Sequence, residues 1–275
     1  MTTYKPFVKE LRKLFTELVP SYIGKSHDRA GTKIKNDGTP VDNLDYYTLN
    51  CLRDFISKSF PGDYAIGEED KIDEAQIIEI LQKKDQLQWA IDGLDGTGNY
   101  GMKTTSYGAM ISLRRGDTIL LAIIFRPIDE KLRGDGFYYA ENQKGAWQYC
   151  RDHGKFHRLH TVSEGALKRT LVMLEGSSKK FFRPPISQLG NSVTTRPSFS
   201  TCIAATTVAQ GQASALVTAE NKPWDNWPSI LLIKEAGGIV TDWYGNSCVP
   251  QNCGNIIAAA NETDSAYILK IMNTK

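Results

Sequence analysis

Two carboxylates within residues 92–97 (DGLDGT) are the side chains best placed for chemistry in this sequence. Asp92 and Asp95 follow an apolar run at 87–91 that is typical of a buried strand. Carboxylates at the end of a strand, followed by backbone amides on a turn, can hold a hard cation and a phosphate group together. The alternative is a solvated Asp-Gly turn. The segment therefore predicts a metal and phosphate site if further acids converge on it.

Other acidic residues lie where they could join this pair. Glu68 and Glu69 end a short strand, and Asp225 stands where a helix is expected to begin. Four carboxylates gathered near 4 Å would repel one another by about 4 kcal/mol per pair at an effective dielectric constant of about 20, so they would need countercharge. Oxygen ligands favour Mg²⁺ or Ca²⁺ over zinc, and Mg²⁺ retains water molecules that can react. The acids therefore predict a phosphate-transfer site that uses divalent cations.

The same region also matches a dinucleotide-binding fingerprint. Residues 96–101 (GTGNYG) have the spacing G-x-G-x-x-G, and Asp117 follows downstream. Such a fingerprint should open a helix within an early strand-helix-strand unit, but here it precedes the strand-like residues 106–113. Asp92 and Asp95 would also face the pyrophosphate with negative charge. The sequence therefore favours a metal-dependent phosphate site over a dehydrogenase.

Elements in the first half of the chain are expected to position these acids. Apolar residues at 44–56 recur at helical spacing, which places Asp45 in the first turn of a helix. Between 106 and 147, β-rich runs separated by polar turns are typical of antiparallel strands. The half 1–150 is therefore predicted to be α+β, with an antiparallel sheet and most of the metal ligands.

The second half of the chain alternates apolar strands with helical segments. Strands are predicted near 171–174, 213–217 and 256–259, and helices near 201–210, 226–236 and 263–272. This alternation is typical of an α/β arrangement. Asp225 is expected to be the N-cap of its helix, with Pro228 tolerated in the first turn. The half 151–275 should thus supply Asp225 and the substrate-binding loops, with the junction at 151–160, and the two halves should pack as one compact unit.

Composition restricts the class of protein. Of 275 residues, 41% are hydrophobic and 23% are charged, as in a soluble globular protein. A net charge of +2 argues against binding to nucleic acid or to a membrane surface. The longest uncharged apolar run is too short to span a membrane, and the N-terminal residues lack the apolar centre of a signal peptide. Five cysteines without a C-x-x-C pair predict reduced thiols in the cytoplasm, and the His and Cys residues predict no zinc site.

Taken together, the motifs resemble the inositol monophosphatase family, the lithium-sensitive, magnesium-dependent phosphatases related to fructose-1,6-bisphosphatase. The matching motifs are GEE at 67–69, DGLDGTGNY at 92–100, WD at 224–225 and EAGG at 235–238. Further matches extend from 35–41 (KNDGTPV) to 256–261 (IIAAAN), so the resemblance covers nearly the whole chain. It implies a fold that combines α+β and α/β parts, the layered αβαβα sandwich of the sugar phosphatase superfamily.

The resemblance also implies ligands for the cofactor and for the phosphate. Two or three Mg²⁺ ions per active site would be held by Glu68, Asp92, the Leu94 carbonyl, Asp95 and Asp225. The phosphate would be bound by Asp95 and by the backbone amides of Gly96 and Thr97. Inhibition by lithium and assembly into a homodimer are implied in the same way.

The implied reaction is in-line hydrolysis of a phosphate monoester. Asp45 would pair with the Thr97 hydroxyl to orient and deprotonate the attacking metal-bound water, and Glu68 would complete the catalytic group. The leading substrate is a small polar monoester such as an inositol or sugar phosphate. Histidinol phosphate and a 3'(2'),5'-bisphosphate nucleotide are the alternatives.

Several positions depart from the family pattern. Gly93 replaces the usual Pro, which should loosen the metal-binding turn without removing a ligand. Asp42 stands where Thr is commoner, and Trp227 with Pro228 makes the wall behind Asp225 bulkier. In addition, Thr218 occupies the position of a Glu that binds sugar hydroxyls in inositol-cleaving members, although Glu220 lies close by. Thr218 and Glu220 are therefore the candidates for substrate binding.

Other polar clusters carry weaker hypotheses. His153, His157 and His160 could form a metal trio, but the neighbouring charges and Gly154 favour a solvated loop. Basic residues at 179–183 could contact an anionic substrate or form a solvated loop. The serines at 177–178 lack the partners of a nucleophile, so covalent catalysis is not expected. The alternative to an enzyme is a phosphate-ligand sensor, which would keep the fold and bind phosphate ligands but not hydrolyse them.

Overall fold

The structure, a computed structural model, describes residues 3–24, 33–35, 40–70, 72–163, 171–176, 178–181, 183–250 and 254–274. The helices are α1 (Lys5–Gly24), α2 (Asn43–Ser59), α3 (Glu74–Gln82), α4 (Thr97–Gly101), α5 (Pro127–Leu132), α6 (Ser178–Phe181), α7 (Ile186–Ser192), α8 (Thr201–Ala209), α9 (Pro223–Glu235) and α10 (Glu262–Met272). In this described part of the chain, no helix has both the length and the apolar character needed to cross a membrane.

Two sheets and one short ladder are formed by the strands. The strands are β1 (Lys33–Ile34), β2 (Pro40–Val41), β3 (Tyr64–Gly67), β4 (Leu87–Asp95), β5 (Gly108–Arg115), β6 (Thr118–Phe125), β7 (Phe137–Glu141), β8 (Gly145–Cys150), β9 (Lys155–Arg158), β10 (Leu171–Gly176), β11 (Thr194–Pro197), β12 (Ala215–Ala219), β13 (Ile239–Asp242) and β14 (Ile256–Ala259). β1 and β2 pair only with each other among the described residues.

The first sheet has the strand order β3-β4-β5-β6-β7-β8-β9. β3 is parallel to β4, and the other neighbours are antiparallel, as predicted for residues 106–147. The sheet continues past the predicted boundary at residue 150, because β9 pairs with β8 and places Lys155 opposite Cys150. The segment 151–160 therefore begins as a hairpin of the first sheet, and the division into halves at residue 150 cuts that sheet.

The second sheet has the order β11-β10-β12-β14-β13. β10 lies parallel to both β11 and β12, whereas β14 is antiparallel to β12 and to β13. The sheet is consequently mixed. Its parallel pairs agree with the α/β arrangement predicted for this half, whereas the antiparallel pairing of β14 with β12 and β13 was not predicted.

Three hydrophobic clusters arrange the helices and sheets in five layers. α1 and α2 cover the outer face of the first sheet, α8 and α9 lie between the two sheets, and α7 and α10 cover the outer face of the second. Within β5, Ala109 and Ile111 face α1 and α2 while Met110 faces the middle layer, as the period-2 alternation of a strand requires. The αβαβα sandwich predicted from the sequence is confirmed.

Helix α9 is fixed firmly in the middle layer. The indole nitrogen of the buried Trp227 donates to the Pro250 carbonyl at 3.0 Å, and the guanidinium carbon of Arg114 lies 4.9 Å from the indole ring centroid. Arg114 is itself fully buried and donates to the Gln88 side chain and to the Leu81 carbonyl, each at 2.9 Å. The first sheet thus holds the helix that carries Asp225.

Candidate active site

A cleft of about 470 Å³ opens at the end of β4, where the first sheet meets the middle helices. The described residues that line it include Glu68, Asp92, Asp95, Gly96, Thr97, Glu175, Ser200, Asn221 and Asp225. The structure therefore brings Glu68, which follows β3, and Asp225, from the distant α9, to the two acids of residues 92–97. Within this cleft, one carboxylate oxygen each from Asp92, Asp95 and Asp225 lies within 4.8 Å of the other two.

An irregularity in β4 explains why Asp92 and Asp95 face the same cleft. Residues three apart on a regular strand point to opposite faces. Here Asp92 pairs with Met110 and Asp95 pairs with Gly108, so β4 has one residue more than β5 over this interval. Such a bulge returns the second side chain to the face of the first.

Gly93 lets helix α2 approach this bulge closely. Its carbonyl accepts hydrogen bonds from the Tyr22 hydroxyl at 2.6 Å and from the Thr48 hydroxyl at 2.9 Å. A β-carbon at this position would lie 2.5 Å from the Thr48 hydroxyl and 2.8 Å from the Asp45 carbonyl. Close packing against α2 and two hydrogen bonds therefore constrain the chain at Gly93, and the looseness of the turn relative to one with proline stays a prediction.

Asp95 is the most strongly bound acid of the cluster. The Ser200 hydroxyl donates to its Oδ2 at 2.6 Å, and the backbone amides of Thr201 and Cys202 donate at 3.0 and 2.8 Å. These amides are the first of α8, where the helix dipole favours a negative charge. Burial nevertheless raises the pKa of Asp95 above its ordinary value, so the donors reduce the cost of desolvation without removing it.

Asp92 and Asp225 carry the largest electrostatic cost. Burial raises the pKa of Asp92 well above its ordinary value, and the charges of Glu68 and Asp95 raise it further. The pKa of Asp225 is raised well above normal by the same causes. Both shifts disfavour the ionised form, so joint ionisation of these acids requires added positive charge.

The start of α9 differs from the prediction. Asp225 is not the N-cap, because the helix begins at Pro223, two residues before Asp225, and the N-cap is Lys222. The fixed φ of proline suits the first helical position. Asp225 instead lies in the first turn, where its Oδ2 accepts a bond of 3.3 Å from the Lys222 amide. Pro228 then lies inside the helix. The carboxylate still stabilises the helix start, and part of its surface stays open to the cleft.

Glu68 lines the cleft but is bound by a lysine. The Lys35 ammonium lies 2.9 Å from Glu68 Oε1 and 2.7 Å from Glu69 Oε1. Burial lowers the pKa of Lys35, but the two glutamates together outweigh this effect and raise it above normal. Glu68 therefore lines the same cleft as the three aspartates, but it is not one of the acids whose oxygens lie within 4.8 Å of one another. One of its two oxygens is paired with Lys35.

Asp45 and Thr97 are in contact, as the resemblance implies. The Thr97 hydroxyl lies 3.0 Å from Asp45 Oδ1 and 2.9 Å from the Leu94 carbonyl. Asp45 Oδ2 accepts a bond of 2.7 Å from the amide of Asp42, which is the N-cap of α2. Burial raises the pKa of Asp45 to about 8, and the charges of the nearby acids add to this effect. Gly96, with a φ of 84°, turns the chain from β4 into α4 beside this pair.

The two residues predicted to bind substrate do not face the cleft. Thr218 is buried in β12, where its hydroxyl accepts from the Ile256 amide at 3.2 Å. Glu220 is exposed and forms an ion pair of 3.1 Å with Lys180. The orientation of β12 explains the position of Thr218, because its side chain points toward residues 254–256 instead of into the cleft. The basic residues 179, 180 and 183 do not line the cleft either, and Ser177 lies outside the described residues.

Sequence reasoning missed three polar residues of the cleft wall: Glu175, Ser200 and Asn221. Glu175 is almost fully buried and accepts from the amides of Ser198 at 2.8 Å and Ser200 at 2.9 Å. Burial raises its pKa to about 8. A signal was present, because Glu175 directly follows a predicted strand, as Glu68 and Asp92 do.

The histidine cluster also differs from the sequence-based hypothesis. The three ligand atoms that come within 4.8 Å of one another belong to Cys150, His153 and His157, and His160 is not among them. The β8–β9 hairpin brings these three side chains together, whereas the sequence predicted no zinc site among the His and Cys residues and pointed to His160 as the third member of a possible trio.

Comparison with known proteins agrees with this fold and cleft. Residues 2–274 match the model of the inositol monophosphatase family. The chain therefore belongs to the inositol monophosphatase family. The match spans both sheets and every acid of the cleft described above.

Individual relatives and one solved structure extend the comparison. A histidinol-phosphatase from Chlorobaculum parvum is 27% identical and covers 99% of this chain and 98% of its own length. The Nus factor SuhB of Salmonella typhimurium is 26% identical, over 91% of this chain and 88% of its own. A structure of an inositol monophosphatase/NADP phosphatase with Mg²⁺ and phosphate has a TM-score of 0.77 at 17% identity and covers 98% of this chain and 95% of that chain, which supports the fold.

Replacing Gly93 by alanine should destabilise the protein. The new β-carbon would meet backbone atoms of α2 at 2.8 and 2.9 Å, so α2 and β4 must move apart. We expect the free energy of unfolding to fall by about 1–3 kcal/mol, as for other overpacked sites. Urea denaturation of Gly93→Ala measures this. The matched control is Gly190→Ala in α7, where a β-carbon meets nothing within 4 Å. Equal stability of both variants would contradict the packing described for Gly93.

Glu175 should make the metal-free protein less stable as the pH rises. A carboxyl with a pKa of about 8 in the folded state and about 4.3 when unfolded takes up a proton on folding between these pH values, so stability falls there by up to about 1.4 kcal/mol per pH unit. Glu175→Gln should flatten this dependence in urea denaturation with EDTA between about pH 5 and pH 8. The exposed Glu79→Gln should keep the wild-type slope. Identical slopes for all three proteins would exclude this role for Glu175.

Proposed function

We propose that this protein is a Mg²⁺-dependent phosphatase that hydrolyses a small polar phosphate monoester. The observation that carries the proposal is the convergence of Asp92, Asp95 and Asp225, with their oxygens within 4.8 Å of one another in a cleft. Membership of the inositol monophosphatase family supports a phosphatase. The raised pKa values of Asp92 and Asp225 support a cation, since only added positive charge would let these acids ionise together.

The donor set fits a hard divalent ion. Carboxylate and carbonyl oxygens from Glu68, Asp92, Leu94, Asp95 and Asp225 are the proposed ligands. Oxygen donors without imidazole or thiolate are what Mg²⁺ prefers. When bound, such ions would polarise the phosphoryl oxygens and lower the pKa of a water molecule. The related structure that contains Mg²⁺ together with phosphate supports this choice of ion.

The proton transfer is assigned to Thr97 and Asp45. In this proposal the attacking water donates to the Thr97 hydroxyl, and the Thr97 proton is held at Asp45 Oδ1, 3.0 Å away. A pKa of about 8 leaves Asp45 largely protonated at neutral pH in the absence of cations. Positive charge in the neighbouring acidic cluster would favour the carboxylate and allow it to accept the proton. Asp95 and the amides of Gly96 and Thr97 are the proposed phosphate contacts.

Two substrate classes remain in the proposal. The family relation supports an inositol or sugar phosphate. The full-length similarity to a histidinol-phosphatase favours histidinol phosphate, and so does the position of Thr218 and Glu220 outside the cleft, where they cannot bind sugar hydroxyls. A bisphosphate nucleotide is the third member of the test panel.

A role without turnover is the alternative from another class. One relative, 26% identical over 91% of this chain, is named a Nus factor, which is not the name of an enzyme. Sequence similarity at this level is therefore also compatible with a function other than catalysis. A phosphate-ligand sensor would keep metal and phosphate binding and release no product. Calorimetry with Mg²⁺ and phosphate, run beside the activity assay, separates the two functions.

Asp92→Asn should remove most of the activity. The change keeps the shape and deletes one charge from the cluster, so we expect phosphate release to fall by at least about 10²-fold. The measurement is Mg²⁺-dependent phosphate release from inositol, sugar and histidinol monophosphates and from a 3'(2'),5'-bisphosphate nucleotide. Asp117→Asn is the matched control, since Asp117 is half exposed and pairs with Lys84 at the surface. Wild-type activity in Asp92→Asn would remove Asp92 from the mechanism, and binding without turnover in the wild type would favour the sensor.

Lithium should inhibit the reaction. This expectation follows from the resemblance to lithium-sensitive phosphatases, and a monovalent ion in an oxygen-only site would supply less charge to the phosphoryl group than Mg²⁺. Phosphate release is compared in lithium chloride and in potassium chloride of equal concentration. Equal rates in the two salts would remove lithium sensitivity from the proposal. The homodimer also remains a proposal, for which light scattering gives the mass.

A further inference from the structure

Three metal-ligating side chains meet on the hairpin at the edge of the first sheet. Cys150 ends β8, His153 lies in the following turn, and His157 is in β9. One ligand atom of each lies within 4.8 Å of the other two, and the two imidazole ring centroids are 5.3 Å apart. None of the three lines the acidic cleft, so this cluster is separate from the proposed active site.

The hairpin register explains why these side chains converge. Cys150 is paired with Lys155 and Gln148 is paired with His157, so Cys150 and His157 are diagonal neighbours on one face of the ladder. The intervening Tyr149 and Phe156 point to the opposite face, where their rings pack against each other in the core around α1. The alternation of the strands therefore separates a buried aromatic face from a face with metal ligands.

The turn brings the third ligand back over this face. Gly154 has a φ of 60° and donates its amide to the Arg151 carbonyl at 3.0 Å, which closes a tight turn. His153 precedes this glycine, and its ring is inclined at 61° to the ring of His157. Both imidazoles are exposed and the thiol is half-buried, so an ion can reach all three from solvent.

The chemistry of this set differs from that of the acidic cleft. One thiolate and two imidazoles are ligands of borderline-soft transition metals, whereas Mg²⁺ prefers oxygen. Tetrahedral zinc bonded at about 2.0–2.3 Å needs its ligand atoms about 3.5 Å apart. Rotation of the two exposed imidazoles would bring the ligand atoms, which lie within 4.8 Å of one another, to that separation. We propose that Cys150, His153 and His157 bind one Zn²⁺ ion per chain, with water in the fourth position.

Such an ion would link the edge strand to the rest of the sheet. β9 is the last strand of the first sheet and pairs only with β8 among the described residues. A bond from Cys150 on β8 and two bonds from the turn and β9 close a short loop of the chain. The site would thus stabilise the hairpin without contacting the acids near Asp92.

Cobalt spectroscopy tests the site directly. Co²⁺ is titrated into tag-free, reduced protein in the presence of saturating Mg²⁺, and the thiolate-to-cobalt charge-transfer band is followed. Zn²⁺ is then added to displace Co²⁺. We expect one equivalent of ion per chain, loss of the band in Cys150→Ser, and at least about 10-fold weaker Zn²⁺ binding in His153→Asn and His157→Asn.

Matched controls make the result specific. His160→Asn and Cys51→Ser change a neighbouring histidine and another half-buried thiol outside the cluster, and both should bind as the wild type does. Cys202→Ser removes the buried thiol of the residue whose backbone amide donates to Asp95, and this variant should also keep the band. A band that survives in Cys150→Ser, a band lost only in Cys202→Ser, or half an equivalent of ion per chain would each overturn the proposal. Circular dichroism verifies that every variant is folded.

Discussion

Mutual repulsion among buried carboxylates is the constraint on which the rest of this structure depends. Asp92, Asp95 and Asp225 place their oxygens within 4.8 Å of one another, with Glu68 nearby, and burial raises the pKa of each aspartate. Such a cluster does not stabilise the metal-free fold. It persists because the acids belong to elements whose positions are set by packing elsewhere: Asp92 and Asp95 lie on β4, Asp225 lies in α9, and Glu68 follows β3.

The surrounding layers supply that fixed geometry. A bulge turns Asp95 to the side of Asp92, the first amides of α8 and the Ser200 hydroxyl hold its carboxylate, and Arg114 with Trp227 fixes the helix that carries Asp225. All of these contacts are buried, and they belong to the same packing that separates the five layers. The fold is therefore stable enough to impose an unfavourable arrangement on its own acids.

The sequence predicts the parts of this site that depend on local pattern. Apolar strand patterns pointed to Glu68 and Asp92, although β4 extends through Asp95 instead of ending before Asp92. Helical spacing placed Asp45 in the first turn of α2, as observed. The same rule would have found Glu175. Features that depend on pairing between strands were not predictable: the bulge at 92–95, the inward turn of Thr218, and the hairpin that gathers Cys150 with two histidines. The register of a strand depends on the strand that it pairs with, and the sequence of one strand does not show which residues of its partner lie opposite.

The two oxygens of Asp45 are engaged by different parts of the molecule. One accepts a hydrogen bond from the backbone amide of Asp42, the N-cap of α2, and the other accepts one from the Thr97 hydroxyl. Rotation of this carboxyl group would break the cap of a helix, so its direction is already established when the chain folds. In the proposed reaction, a carboxylate fixed in this way would accept the proton without rearrangement in the transition state, and a substitution that changes its reach would also remove one hydrogen bond from the start of α2.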